Sequence, residues 1–145
     1  MTARHQFLCI ADADAPVVLV VEDEVLVRLA SAQHLRDAGY EVMEARNAHE
    51  ALRLLANADV DVVFCDITMP GTMDGLQLVD WLHERRPGVG TVLTSAKLEP
   101  GARYGLLLGK PYRLADLDRC LVELLHLRRA RHALPKRQLA ALPTD

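Results

Sequence analysis

Five short apolar runs, each closing on polar or charged residues and each followed by a stretch of different periodicity, constrain this chain more than any other feature. They are VVLVV (17–21), YEVMEA (40–45), VDVVFC (60–65), TVLTS (91–95) and GLLLGKP (105–111). VVLVV and VDVVFC are continuous and rich in β-branched residues, as strands buried on both faces must be. YEVMEA alternates and reads as a strand nearer a sheet edge. Between the runs lie helical patterns. From Glu24 to Ala38 the apolar residues Val25, Leu29, Ala32 and Leu35 share one face, and Gly39 supplies a stop. Asn47 and Glu50 form a capping pair ahead of the stripe Ala48, Ala51, Leu52 and Leu55. The turn signals Pro70, Gly71 and Gly75 precede a helix over about Leu76–Arg85, which ends before Pro87; a last helix runs from Leu114 to about Leu127, with Leu117, Leu121 and Leu124 on one face. Strands alternating with helices imply right-handed βαβ units: a doubly wound, five-stranded parallel α/β sheet. Pro100 and Gly101 leave room for little more than one helical turn between the last two strands, so a fourth helix there is expected to be short or absent.

The 145 residues suit one domain, and 50% apolar with 26% charged is the balance of a globular protein rather than a disordered one. No apolar run approaches the roughly 20 residues of a membrane span, and the first residues lack a signal-peptide core. Three cysteines without a CxxC pair and scattered histidines indicate neither a disulfide framework nor a zinc site, so a cytoplasmic setting is the expectation. From Arg128 onward there are five basic residues against Asp145 alone, whereas the preceding chain carries 12 basic and 19 acidic ones. An acidic body is not the footprint of direct nucleic-acid binding. The expected organisation is an N-terminal extension (1–16), the domain (17–127) and a basic, solvated C-terminal tail (128–145).

In such sheets the functional crevice lies at the carboxyl ends of the strands. Strand one ends in Glu22-Asp23, strand three in Asp66, strand four in Thr94-Ser95 and strand five in Lys110-Pro111. Three carboxylates, a hydroxyl and an ammonium therefore converge on one edge. Crowded carboxylates repel and become favourable around a cation; oxygen-only donors in a small open site suit Mg²⁺. A hydroxyl and a lysine facing the same point would neutralise an oxyanion, and the set describes phosphoryl transfer to a carboxylate, with Asp66 the central candidate.

From Val17 to about Leu127 the chain resembles the receiver domain of bacterial two-component response regulators: VVLVVEDE, FCDITMPGTMDGL, TVLTSA and LGKPY match that family's blocks in order. The resemblance implies a flavodoxin-like sheet of order 2-1-3-4-5, with Asp66 phosphorylated by a histidine kinase or histidine phosphotransfer protein. It implies that Asp23 and Asp66 ligate Mg²⁺, that Glu22 acts through a bound water, and that the Thr68 backbone carbonyl is a further ligand. Ser95 would bond one phosphoryl oxygen and Lys110 pair with another, with a cis bond before Pro111. Such a protein catalyses only its own phosphorylation and dephosphorylation, and acts by binding a downstream protein or a second copy of itself.

Several positions depart from the family pattern. Thr72 lengthens the loop after Asp66 by one residue, and Leu107 stands where an aromatic switch residue is common, which would leave Tyr104 or Tyr112 to rebuild that coupling. Ser95-Ala96 fits the hydroxyl-plus-small-residue pattern better than Thr94-Ser95. The output surface is expected over 96–113. Cys65 should point away from Asp66 into the core, and Trp81, Met69 and Met73 should pack. A haloacid-dehalogenase-like phosphohydrolase is the rival from another class, but it needs a second acid where Thr68 stands; a receiver fragment of a larger regulator or hybrid kinase is the third reading.

Overall fold

The computed structural model describes residues 15–96 and 105–133. Five strands, β1 (Val17–Val21), β2 (Glu41–Ala45), β3 (Val62–Asp66), β4 (Gly90–Ser95) and β5 (Leu106–Gly109), form one parallel sheet in the order β2-β1-β3-β4-β5. Among the described residues four helices connect and cover it: α1 (Val25–Asp37), α2 (Ala48–Asn57), α3 (Gly75–Arg85) and α4 (Leu114–Ala133). The expected short or absent helix between β4 and β5 falls on residues 97–104, outside the described residues, as do most of the N-terminal extension and the end of the basic tail.

Strand alternation divides the core. Leu19, Val21, Val63, Cys65 and Leu93 face α2 and α3, meeting Ala51, Leu55, Leu78 and Leu82. Val18, Val20, Val62, Phe64 and Val92 face α1 and α4, meeting Leu35, Leu117 and Leu121. Every residue of β3 is buried, as a central strand covered on both faces requires. Cys65 lies in the α2–α3 core, and burial pushes its thiol pKa up, with the charge of Asp66 acting in the same direction.

Local signals produced the expected boundaries in most places. Asn47 Oδ1 accepts the Glu50 amide at 2.9 Å at the start of α2, and Asp74 with Gln77 closes a capping box at the start of α3. Gly39 takes φ +100 after α1, a conformation only glycine adopts freely. Helix α4 runs on to Ala133, past the expected end near Leu127, because the segment holds good helix formers and Pro135 is the first breaker after them.

The face expected for α1 is not the one observed. Ala32 and Leu35 are buried, but Val25 and Leu29 are 54% and 48% exposed, and Leu26 is 82% exposed. Arg28 and Ser31 turn inward instead. Arg28 Nη1 donates to the Glu22 carbonyl at 2.9 Å and its Nε lies 3.5 Å from Glu44, while Ser31 Oγ shares a 3.1 Å hydrogen bond with the Tyr112 hydroxyl. The first turns of α1 begin at the strand ends, where the polar groups of other segments, not apolar sheet, lie opposite them.

Candidate functional site

Because all five strands run the same way, their carboxyl ends share one edge, and β1 and β3 are neighbours at the point where the winding reverses. β1 delivers Glu22 and Asp23 there, and β3 delivers Asp66. One carboxylate oxygen from each of these three residues lies within 4.8 Å of the others. Glu22 and Asp66 are buried, and Asp23 is exposed.

Lys110 arrives from the end of β5, positioned by its own amide, which donates to the Ser95 carbonyl at 2.8 Å. Its Nζ lies 2.8 Å from Asp66 Oδ2 and 3.4 Å from Glu22 Oε1. The bond from Lys110 to Pro111 is cis, as the resemblance implied. Burial works against the charged lysine, but the hydrogen bond and charge of Asp66, with the charge of Glu22, outweigh it and hold its pKa above the ordinary value. Glu22 is pushed up to about 7, first by burial, then by its hydrogen bond with Asp23 and the charge of Asp66, against the opposing pull of the Glu24 amide and then of Lys110.

The second oxygen of Asp66, Oδ1, accepts the Thr68 amide at 3.1 Å, which turns the loop after β3 back over the carboxylate. Thr68 is exposed at the mouth of the site. Ser95 and Thr94 are both buried at the end of β4, and alternation sends their side chains to opposite faces. All six residues singled out in the sequence (Glu22, Asp23, Asp66, Thr68, Ser95 and Lys110) therefore lie at this edge.

Other contributors to the site were not legible as such. Gly75 opens α3 against the backbone of the Asp66–Ile67 segment. A Cβ there would come within 2.7 Å of the Ile67 Cα and closer still to the Asp66 carbonyl oxygen. The sequence marked Gly75 only as a turn; its need for bare backbone follows from tertiary approach. Arg28, which carried no signal in the sequence, grips the Glu22 carbonyl. The extra loop residue Thr72 is docked on α2, its hydroxyl 2.7 Å from His49 Nε2, so the longer loop is anchored rather than looped out. Tyr112 packs edge-on to Phe64 with ring centroids 5.7 Å apart, whereas Tyr104 and most of the expected output surface lie outside the described residues.

The donors are all oxygens, two of them on buried carboxylates, and burial first, with the charge of Asp66 adding to it, raises the proton affinity of Glu22. A hard divalent cation fits such a set.

A family model describing the response regulator receiver domain matches residues 18–107. The chain belongs to that family. This receiver is 34% identical over 118 residues to the sensor kinase CckA of Brucella abortus, a match covering 74% of the chain and 12% of that protein. It is 35% identical over 116 residues to the transcriptional regulatory protein PdtaR of Mycobacterium tuberculosis, covering 73% of the chain and 56% of PdtaR. It thus spans about half or less of the length of these curated relatives. Among solved structures, a CheY-like receiver from Methanospirillum hungatei superposes with a TM-score of 0.75 at 25% identity, covering 81% of this chain and 98% of that one. The response regulator TrrA of Thermotoga maritima, solved in complex with Mg²⁺ and BeF, gives 0.69 at 25% identity over 75% of this chain and 98% of that one. The family places the rival phosphohydrolase reading behind the receiver reading, and Thr68 stands where that class needs an acid. Among the described residues no helix is long and apolar enough to cross a membrane.

Proposed function

We propose that this receiver is a phosphorylation switch or relay whose acceptor is Asp66, charged by a histidine kinase or histidine phosphotransfer protein. The observation that carries the reading is the buried Asp66 carboxylate at the end of the central strand, held at 2.8 Å by Lys110 inside a cluster of acids. An Asp66 oxygen attacks the phosphorus of a phosphohistidine; a P–O bond forms, the P–N bond breaks, and its electron pair leaves on the imidazole. Glu22, Asp23, Asp66 and the Thr68 carbonyl would hold Mg²⁺, with Glu22 acting through a water, and the ion would supply neutralisation of the negative charge gathered there. Lys110 exchanges its pairing with Asp66 for one with the more highly charged phosphoryl group, and Ser95 donates to another of its oxygens. The protein performs no chemistry beyond its own phosphorylation and dephosphorylation, works in the cytoplasm, and passes the signal through protein contacts, either to a downstream protein or to a second copy of itself. Exposed Val25, Leu26 and Leu29, on the first turns of α1, give the phosphodonor protein an apolar surface beside the site.

The test uses purified protein with Mg²⁺ and acetyl phosphate. One acid-stable, base-labile phosphoryl group should appear on the wild type and none on Asp66→Asn, whose amide is not a usable nucleophile. Labelling of the Asn variant at the wild-type rate refutes the assignment.

A further inference from the structure

The turn that carries Glu22 and Asp23 from β1 into α1 has little of its own to hold it. Glu24 stands at the N-cap of α1 without a side-chain capping bond, and the first turn of the helix holds no acidic residue. A local bond runs from the Glu24 amide to Glu22 Oε2, but at 3.3 Å it is long. The firmer contacts come from farther away. The Glu22 amide donates to the Ala45 carbonyl of β2 at 3.0 Å, and the Glu22 carbonyl accepts Arg28 Nη1 at 2.9 Å. Glu22 is 4% exposed, so its backbone depends on such protein partners. Arg28 is itself held. Its side chain is 11% exposed, and its Nε lies 3.5 Å from Glu44 Oε1 on β2. The other oxygen of Glu44 accepts Arg36 Nη2 at 3.0 Å, and that guanidinium also donates to the Val42 carbonyl at 3.2 Å. A line of alternating charges thus runs from the edge strand to the backbone of two site acids.

Packing alone does not call for this arrangement, because an apolar side chain at position 28 would cover the strand end without desolvating a charge. The atom that Arg28 chooses is the informative one. The Glu22 carbonyl belongs to the peptide unit that joins Glu22 to Asp23, and a peptide unit is planar. A guanidinium bonded to that oxygen therefore fixes the plane from which both acids depart. We propose that Arg28 is a positioning residue for the Mg²⁺ site, holding the Glu22–Asp23 peptide in place, with Glu44 orienting the guanidinium. The inference rests on these acids holding the ion, as the proposed function has it, and extends the site to two residues outside the acid cluster. Mg²⁺ demands near-octahedral geometry of its ligands, so a peptide plane free to swing costs affinity even with every carboxylate present. The linkage is reciprocal, and the contacts of Arg28 should be steadier in the metal-bound protein.

The experiment measures Mg²⁺ binding to wild type, Arg28→Met, Glu44→Gln and Asp23→Asn by competition against Mn²⁺ in electron paramagnetic resonance. Acetyl phosphate labelling of each is then followed over a range of Mg²⁺. Arg28→Met keeps much of the apolar stem and should weaken Mg²⁺ about tenfold, the effect of removing a partner behind a metal ligand. Its labelling should need correspondingly more Mg²⁺ yet reach the wild-type rate at saturation, because Asp66 and Lys110 are untouched. Glu44→Gln, which keeps the shape beside Arg28 and deletes the charge, should weaken Mg²⁺ roughly threefold, the equivalent of one part-exposed ion pair. A folded Arg28→Met that binds Mg²⁺ as tightly as wild type overturns the inference and leaves Arg28 a stabilising residue only. A rate still depressed at saturating Mg²⁺ also overturns it, since Arg28 would then act in the transfer itself. If Arg28→Met does not fold, Glu44→Gln decides, and unchanged Mg²⁺ affinity there overturns the inference. An Asp23→Asn protein that binds Mg²⁺ like wild type removes the metal reading itself; a weakened Asp23→Asn beside an unaffected Arg28→Met removes only the role of Arg28.

Discussion

Replacing Lys110 by methionine keeps the length of the side chain and deletes its charge, and the structure sets the size of the effect. The ammonium lies 2.8 Å from Asp66 and 3.4 Å from Glu22, both carboxylates being buried, so its loss leaves two acids facing each other without a counter-charge. Breaking a buried ion pair by removing one partner costs about 3–5 kcal/mol. The Lys110 side chain is 28% exposed, so water reaches part of the site and a discounted cost of about 2–3 kcal/mol is expected at pH 8. The pH dependence is the sharper test. Lys110 has a raised pKa, so it stays charged at both pH 6 and pH 8. Glu22 is raised from 4.5 to about 7, so between those values the folded protein binds more protons than the unfolded chain, and the stability tied to this group falls as pH rises through that window. Without Lys110 the carboxyl rises further, and at pH 6 it escapes the repulsion by staying protonated. Urea melts in a chelator should show the 2–3 kcal/mol loss at pH 8 shrinking to less than half at pH 6, with Mg²⁺ restoring most of it at pH 8. Equal stability of the variant and wild type at pH 8, or a larger loss at pH 6, would refute the electrostatic account.

Gly75→Ala forces a methyl group into the Asp66–Ile67 backbone and should destabilise the fold by about 2–4 kcal/mol while distorting the acceptor loop, read by urea melts and by acetyl phosphate labelling; unchanged labelling and stability would mean that α3 can back away. Asp23→Asn removes an exposed carboxylate of the acid cluster and should weaken Mg²⁺ binding by tenfold or more with little change in metal-free stability, checked by Mg²⁺ titration of Trp81 fluorescence. Leu26→Glu, at the most exposed apolar position of α1, should slow phosphotransfer from a histidine kinase several-fold while leaving acetyl phosphate labelling intact. Equal slowing with both donors would place Leu26 within the chemistry rather than at the docking surface.

The alternation of apolar runs and helical stripes determined by itself that the sheet is parallel and doubly wound, since β-branched runs such as VVLVV and VDVVFC can satisfy their apolar surface only when covered on both faces. It also determined the site, because a parallel sheet sends Asp23, Asp66, Ser95 and Lys110 to one edge whatever the loops do. Tertiary structure decided the rest, and for one recurring reason. Periodicity reports how much apolar surface a face carries, not whether a polar group on it will find a partner far away in the chain. Arg28 and Ser31 could turn inward on α1 only because the Glu22 carbonyl, Glu44 and the Tyr112 hydroxyl wait for them, so Val25 and Leu29 were left outside. The extra Thr72 could be held only because His49 on α2 meets it. Gly75 had to lack a side chain only because α3 starts against the Asp66–Ile67 backbone.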